Sequence, residues 1–290
     1  MIKTVTISPN KELSRRIVAI GDIHGDYKST IKALRLAELI NKSHNWIGGN
    51  TVVVQLGDIL DRGGRDITYG DENSEVKIIN LFYKLKKQAK KQDGDDICLI
   101  GNHELLNFQG IFDYCTKKSI ASFGSKKKRE LFYKPGNKMC KYMNKLFKAI
   151  YKIGPWVFVH GGIRPYLSKK YTILQINSIM SHYLNGNIEL ESTKQFEELF
   201  SDDKSILWYR EFSNEQVNCK QLKQSLSNLG AKYMVVGHTP QDNINSRCKN
   251  RIWRIDTAMS EAFGKRTNDN RISCMDIIDG GRKVNIYHSN

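Results

Sequence analysis

Five short runs of β-branched and aliphatic residues, each stopped by a glycine or histidine at the head of a polar loop, constrain this chain more than any other feature. Residues 16–20 run into Gly21 and Asp22, residues 51–56 into Gly57 and Asp58, and residues 97–100 into Gly101 and Asn102. Residues 157–159 precede His160, and residues 233–236 precede Gly237 and His238. Unbroken apolar runs of this length read as strands buried on both faces. Helical patterning fills residues 29–40 between the first two runs. It also fills residues 74–92 between the next two, where Ile78, Phe82, Leu85 and Ala89 make one apolar stripe. Strand, helix, strand, helix, strand implies βαβ units and an α/β (α+β) class.

After Gly230 the pattern changes to strand-like pieces at residues 252–255, 272–278 and 283–287 with no long helix between them, which predicts a second, partly antiparallel sheet. Segments 105–153 and 163–229 exceed loop length and carry helical patterning, so residues 1–290 read as one domain with two helical insertions. With 40% apolar residues, 5 Pro and 22 Gly, the chain is neither disordered nor collagenous. No stretch approaches the roughly 20 apolar residues of a membrane-spanning helix. Residues 1–16 lack the continuous apolar core of a secretory signal, so a cytoplasmic location is expected. The six cysteines, 98, 115, 140, 219, 248 and 274, form no C-x-x-C pair and are expected to be reduced, mostly buried thiols.

The loops carry the chemistry. The first is Gly21-Asp22-Ile23-His24-Gly25-Asp26 and the second Gly57-Asp58-Ile59-Leu60-Asp61-Arg62-Gly63; Gly101-Asn102-His103-Glu104, His160-Gly161-Gly162 and Gly237-His238-Thr239 follow. Loops at the carboxyl ends of parallel strands gather at one edge, where a ligand site is expected. Carboxylate, imidazole and carboxamide donors meeting there suit two divalent cations about 3.5–4 Å apart with a bridging carboxylate. Mixed nitrogen and oxygen donors favour manganese, iron or zinc over calcium. Each residue alone has a plainer reading: Asp after a strand is often a turn former or helix cap, and His160 and His238 are compatible with satisfied core positions. Arg62 is compatible with a surface ion pair. Five such coincidences on five strand ends outweigh those readings.

These blocks, in this order, resemble the calcineurin-like metallophosphoesterases and particularly their phosphoprotein phosphatase branch. Gly101 to Gly110, residues 132–136 and 158–163, Leu207-Trp208-Tyr209-Arg210, residues 236–240 and residues 255–260 are similar to the Shewanella-like protein phosphatases. The resemblance implies a central β-sandwich flanked by helices. It implies that Asp22, His24 and Asp58 hold one metal and that Asp58 bridges to a second held by Asn102, His160 and His238. His103 resembles the general acid, Asp61 the carboxylate that orients it, and Arg62 and Arg210 the donors to the transferred phosphoryl group, which a metal-bound hydroxide attacks directly. Trp208 and Tyr209 are either part of that site or core aromatics. Asp256 is either a partner of a ligand histidine or a loop cap. Pro240 stands where many broader metallophosphoesterases have another histidine, as in the phosphatase branch. Ile111, Phe112 and Asp113 depart from the acidic and basic-aromatic residues expected after Gly110, so substrate selection there is expected to differ.

The function this implies is metal-dependent phosphomonoester hydrolysis, with phosphoprotein as substrate. A dinucleoside polyphosphate hydrolase is the rival enzyme, disfavoured by His160-Gly161-Gly162 where that group resembles His-Ala-Gly. A non-catalytic nucleic-acid-binding protein is the rival from another class, suggested by 46 Lys+Arg against 30 Asp+Glu, a net charge of +16. Of the basic runs, residues 84–91 interleave with the apolar stripe and read as an exposed helix face. The run Lys126-Lys127-Lys128-Arg129 lies in an insertion near the metal loops and is expected to draw in anionic substrates.

Overall fold

The protein is described by a computed structural model covering residues 2–6, 15–63, 70–264 and 271–289. In chain order the strands are β1 (Ile2–Thr6), β2 (Ile17–Ile20), β3 (Val52–Gln55), β4 (Asp95–Leu99), β5 (Phe147–Lys148) and β6 (Ile150–Ile153). Then come β7 (Trp156–Val159), β8 (Tyr233–Val236), β9 (Asn245–Arg247), β10 (Ile252–Arg254), β11 (Ser273–Ile278) and β12 (Lys283–His288). They form one sheet in the order β1-β12-β11-β2-β3-β4-β5 and another in the order β6-β7-β8-β10-β9. The five expected strand ends therefore divide three and two between the sheets. The pieces after Gly230 do not make a separate sheet either: β10 pairs in parallel with β8, while β11 returns to pair antiparallel with β2 and β12 pairs antiparallel with β11. Pairing is a long-range choice that local periodicity does not encode.

Alternation along the strands explains why two sheets form. Ile17, Ala19, Val52, Val54, Leu56, Ile97 and Leu99 of the first sheet pack against Trp156, Phe158, Val235, Trp253 and Ile255 of the second. The intervening residues Val18, Ile20, Val53, Cys98, Val157, Val159, Met234 and Val236 point the other way, into helices. A period of two with both faces apolar requires cover on both sides, so the sheets stack and helices close the outer faces. This is the expected β-sandwich flanked by helices.

On the outside of the first sheet lie α1 (Tyr27–Leu36), begun by the Asp26 side chain accepting from the Ser29 amide, and α2 (Glu75–Lys90). The latter buries Ile78, Ile79, Leu81, Phe82, Leu85 and Ala89 and exposes Lys84, Lys87 and Lys90. Next come α3 (Asn102–Phe108), α4 (Lys117–Ser122), α5 (Lys126–Tyr133) and α6 (Lys138–Asn144), then α7 (Pro165–Lys170), α8 (Ile173–Leu184), α9 (Lys194–Phe196) and α10 (Cys219–Asn228). Among the described residues no helix is long and apolar enough to cross a membrane. The cysteine expectation needs correction. Cys219, at the start of α10, is disulfide-bonded to Cys248 in the β9–β10 turn, 29 residues away in sequence. Cys98, Cys140 and Cys274 are buried thiols, and Cys115 is a partly buried one. Only the tertiary approach of that helix to that turn creates the pair.

Candidate metal centre

The loops after β2, β3, β4, β7 and β8 converge at one edge of the sandwich, and their backbones are bent hard to do so. His24, Asp58, Asp61 and His238 all have positive φ, at 44°, 53°, 64° and 64°, a region that costs non-glycine residues about 1–3 kcal/mol and clusters at functional sites. The loops are pinned to one another: the amides of Ile23 and His24 both donate to the Asp58 carbonyl, at 3.0 and 2.8 Å. Two glycines are there for closeness. A Cβ on Gly101 would fall on Asp58 Oδ1, and one on Gly237 on Asp22 Oδ1.

Asp58 is the hub. Its Oδ2 lies 3.3 Å from His160 Nε2, 3.8 Å from His24 Nε2 and 3.9 Å from His103 Nε2. Two donor groups share it: His24, Asp58 and His103, and Asp58, His160 and His238. Asn102 Oδ1 is 3.0 Å from His160 Nε2 and so joins the second group. Asp22 stands outside both groups as they lie. Its Oδ2 accepts from the His238 amide at 3.0 Å, tying the end of β2 to the end of β8 across the two sheets, and its Oδ1 is buried without a hydrogen-bond partner.

The donor chemistry fits cations. His24 Nδ1 contacts the Asp61 carbonyl at 2.9 Å and His160 Nδ1 the Leu56 carbonyl at 2.7 Å. A carbonyl accepts from Nδ1–H and turns Nε2 toward Asp58 as the nitrogen that would bind a cation. Burial disfavours the His160 charge, but Asp58 outweighs it and raises the pKa, so a cation there would take the place of a proton. His238 Nε2 is buried with no hydrogen-bond partner, and burial, reinforced by His160 and Arg210, holds its pKa well below the usual value, so the ring is neutral. Burial and then the charges of Asp256 and Asp58 push the Asp22 carboxyl well above the carboxylate range. Like charges and orphaned acceptors packed this closely are what a cation neutralises.

His103 is held differently. Its Nδ1 is 3.0 Å from Asp61 Oδ2, a carboxylate rather than a carbonyl. Burial disfavours the Asp61 charge, but the hydrogen bond and charge of His103, followed by Arg129, outweigh it and lower the pKa. An anionic partner favours a ring that carries and releases a proton.

Glu104, beside these ligands in sequence, has no role in the sequence reading and a large one in the structure. Its Oε2 accepts from the amides of Asp58 and Gly101, both at 2.8 Å, and its Oε1 from Ile59 at 2.8 Å and Leu60 at 3.0 Å. One side chain thus shapes two ligand loops. Tyr114, also missed, sets its ring edge-to-face on His103 at 4.8 Å between centroids and is 38% exposed. Neither has a local sequence signal beyond its neighbours.

The remaining expected residues are placed as follows. Arg62 is buried, 3.3 Å from Asp26 and 3.7 Å from Glu261. It is not a surface ion pair. Arg210 is exposed, and its Nη1 donates to the His238 carbonyl at 2.9 Å and to Thr239 Oγ1 at 3.1 Å, putting it at the rim of the centre. Trp208 sets its ring against His238, 5.9 Å between centroids, whereas Tyr209 packs on Phe212 in the core. Asp256 Oδ1 caps its own loop by accepting from the Ala258 amide at 2.9 Å. Its Oδ2 is buried with no hydrogen-bond partner, and burial followed by the Asp58 charge raises its pKa to about 6.

The model of the calcineurin-like phosphoesterases matches residues 15–242. The chain is 35% identical over 260 residues to Shewanella-like protein phosphatase 1 of Plasmodium berghei, covering 87% of this chain and 69% of that one. It is 31% identical over 299 residues to Shewanella-like protein phosphatase 2 of Arabidopsis thaliana, covering 86% and 73%. The solved cold-active protein-tyrosine phosphatase of a psychrophilic Shewanella species shares the fold, with a TM-score of 0.74 at 23% identity, covering 92% of this chain and 76% of that one.

Proposed function

The chain belongs to the calcineurin-like phosphoesterases and is a phosphatase, and on that premise we propose that it hydrolyses phosphomonoesters of proteins at a centre of two divalent cations sharing Asp58. Asp22, His24 and Asp58 would hold one cation, and Asp58, Asn102, His160 and His238 the other. When bound, such cations supply Lewis acidity and an activated water. Donor chemistry favours manganese, iron or zinc.

The chain's own residues do the rest. Asp61 orients His103, and His103 Nε2, facing the shared carboxylate, gives its proton to the departing alkoxide or phenoxide. Arg210, anchored on the His238 loop, and Arg62, steadied by Asp26, offer planar donors to the equatorial oxygens of the phosphoryl group. Protein substrates are the choice because the relatives named above are protein phosphatases.

One observation carries the reading: three imidazole Nε2 atoms from three loops lie within 3.9 Å of one carboxylate oxygen. The test is metal analysis of the purified protein beside a hydrolysis panel of phosphoserine, phosphothreonine and phosphotyrosine peptides and diadenosine tetraphosphate. Two equivalents of metal and preference for peptides are expected. Faster turnover of the dinucleotide would overturn the substrate class. His103→Asn should keep its metal and lose about 10²–10⁴-fold in kcat on poor leaving groups; unchanged turnover refutes the acid role.

A further inference from the structure

The basic run on α5 is not one surface. Lys126, Lys127 and Lys128 are exposed, whereas Arg129 is fully buried, its side chain 0% accessible. Burying a guanidinium costs several kcal/mol unless its donors are all used, and here they are. Nε donates to Asn107 Oδ1 at 3.0 Å, and Nη1 to Glu75 Oε2 at 2.8 Å and Ser119 Oγ at 2.6 Å. Nη2 donates to Glu75 Oε1 at 3.3 Å and Asp61 Oδ1 at 3.4 Å. The rings of Phe123, Tyr133 and Phe112 surround it at 5.1, 5.2 and 5.6 Å.

Each of its polar partners leads to the Asp61–His103 pair. Glu75 Oε1 accepts from the Asp61 amide at 2.8 Å, fixing the backbone at that left-handed residue. Asn107 Nδ2 donates to Asp61 Oδ1 at 2.8 Å and to the His103 carbonyl at 2.9 Å, so it holds both members. Ser119 donates to Glu75 Oε2 at 2.7 Å, and Cys115 Sγ approaches Asp61 Oδ1 at 3.1 Å. Asp61 Oδ1 is therefore engaged by Asn107, Cys115 and Arg129, and Oδ2 is presented to His103.

We propose that Arg129, through Glu75 and Asn107, is a positioning residue for catalysis: it locks the Asp61 carboxylate in the rotation that aims His103 at the leaving group. This rests on the reading of His103 as the proton donor. Arg129 touches no metal ligand directly; the route from its network to a ligand is the Asp61 carbonyl that His24 Nδ1 contacts, so metal content is read beside kcat to separate the two. Without the lock Asp61 turns, the imidazole loses its fixed orientation, and only esters that need a proton to depart suffer.

The test uses the metal-loaded full chain and two variants, Arg129→Lys and the paired Arg129→Met with Glu75→Gln, which removes both buried charges together. kcat is measured on aryl and alkyl phosphates graded from acidic nitrophenols to alcohols, with His103→Asn run in parallel. We expect the paired variant to lose about 10–100-fold in kcat on phenyl and alkyl phosphates, with little change on nitrophenyl phosphates, in KM or in metal content. Arg129→Lys, which keeps the charge but not the fork, should fall between it and the wild type. Should the paired variant not fold, Arg129→Lys decides by the same comparison. Equal loss on all esters, or none, overturns the proposal when His103→Asn shows the steep leaving-group dependence. A flat profile for His103→Asn itself overturns the acid reading and this inference with it.

Discussion

The two sides of the centre are built on different terms. Around the loops after β3 and β4, Glu104 and Gln55 are satisfied by protein: Glu104 takes four amides, and Gln55 Nε2 donates to the Gly57 and Gly21 carbonyls at 2.6 and 3.2 Å. On the side of β2, β8 and β10, Asp22 Oδ1, Asp256 Oδ2 and His238 Nε2 are buried without hydrogen-bond partners. Unsatisfied buried groups cost about 1–3 kcal/mol each, more when charged. The first side is organised by the chain itself. The second is tied by Asp22 Oδ2 and Asp256 Oδ1 but leaves one atom of each, and His238 Nε2, for something positive to satisfy.

That contrast can be broken in four places. Asp58 belongs to both sides, so Asp58→Asn should have the largest effect, a loss of about 10³-fold or more in kcat together with loss of bound metal; retention of two equivalents would refute the shared hub. Glu104→Gln strikes the organised side. An amide cannot accept four N–H donors through two oxygens, so metal affinity measured by chelator competition should fall about 10–100-fold.

Asp256→Asn strikes the open side and should act in the opposite sense on the metal-free protein. The folded pKa of Asp256, about 6, lies above the roughly 3.9 of an unfolded chain. Between those values the folded state binds the extra proton, so this group's contribution to stability is full below about pH 4 and is lost as pH rises through about 6. Urea unfolding of metal-free protein should show that decline in the wild type and a shallower one in Asp256→Asn, which should also be the more stable at pH 7. Identical slopes would remove the distinction between the sides. The smallest effect concerns the two faces of α5. Replacing Lys126, Lys127 and Lys128 by Gln should lower kcat/KM for acidic phosphopeptides by less than about tenfold and flatten its salt dependence. An unchanged salt dependence would deny the outer face any part in steering.

How much was legible follows the range of each interaction. Asp22, His24, Asp58, Asn102, His160 and His238 stand out in the sequence because each sits beside a glycine in a loop that stops an apolar run, a signal contained within a few residues. Glu104 was visible as a letter in the same loop, but its four amides come from Asp58, Ile59, Leu60 and Gly101, and the first three are more than 40 residues away. Arg129 was misread as a member of a solvated basic run because its neighbours are lysines. Its partners Glu75 and Asp61 are 54 and 68 positions away. The Cys219–Cys248 bond escaped for the same reason.

By itself, then, the order of apolar runs and polar stops determined that strands would end in donor-bearing loops and that those loops would share one edge. Tertiary structure decided which strands joined which sheet, that Asp58 stands between the imidazoles of His24, His103 and His160, and that the arginine of a basic run would be buried. Strand alternation and loop glycines act over neighbouring residues and survive in any packing. Pairing, burial of a guanidinium and the mutual approach of carboxylates depend on segments that meet only once the two sheets have closed on each other.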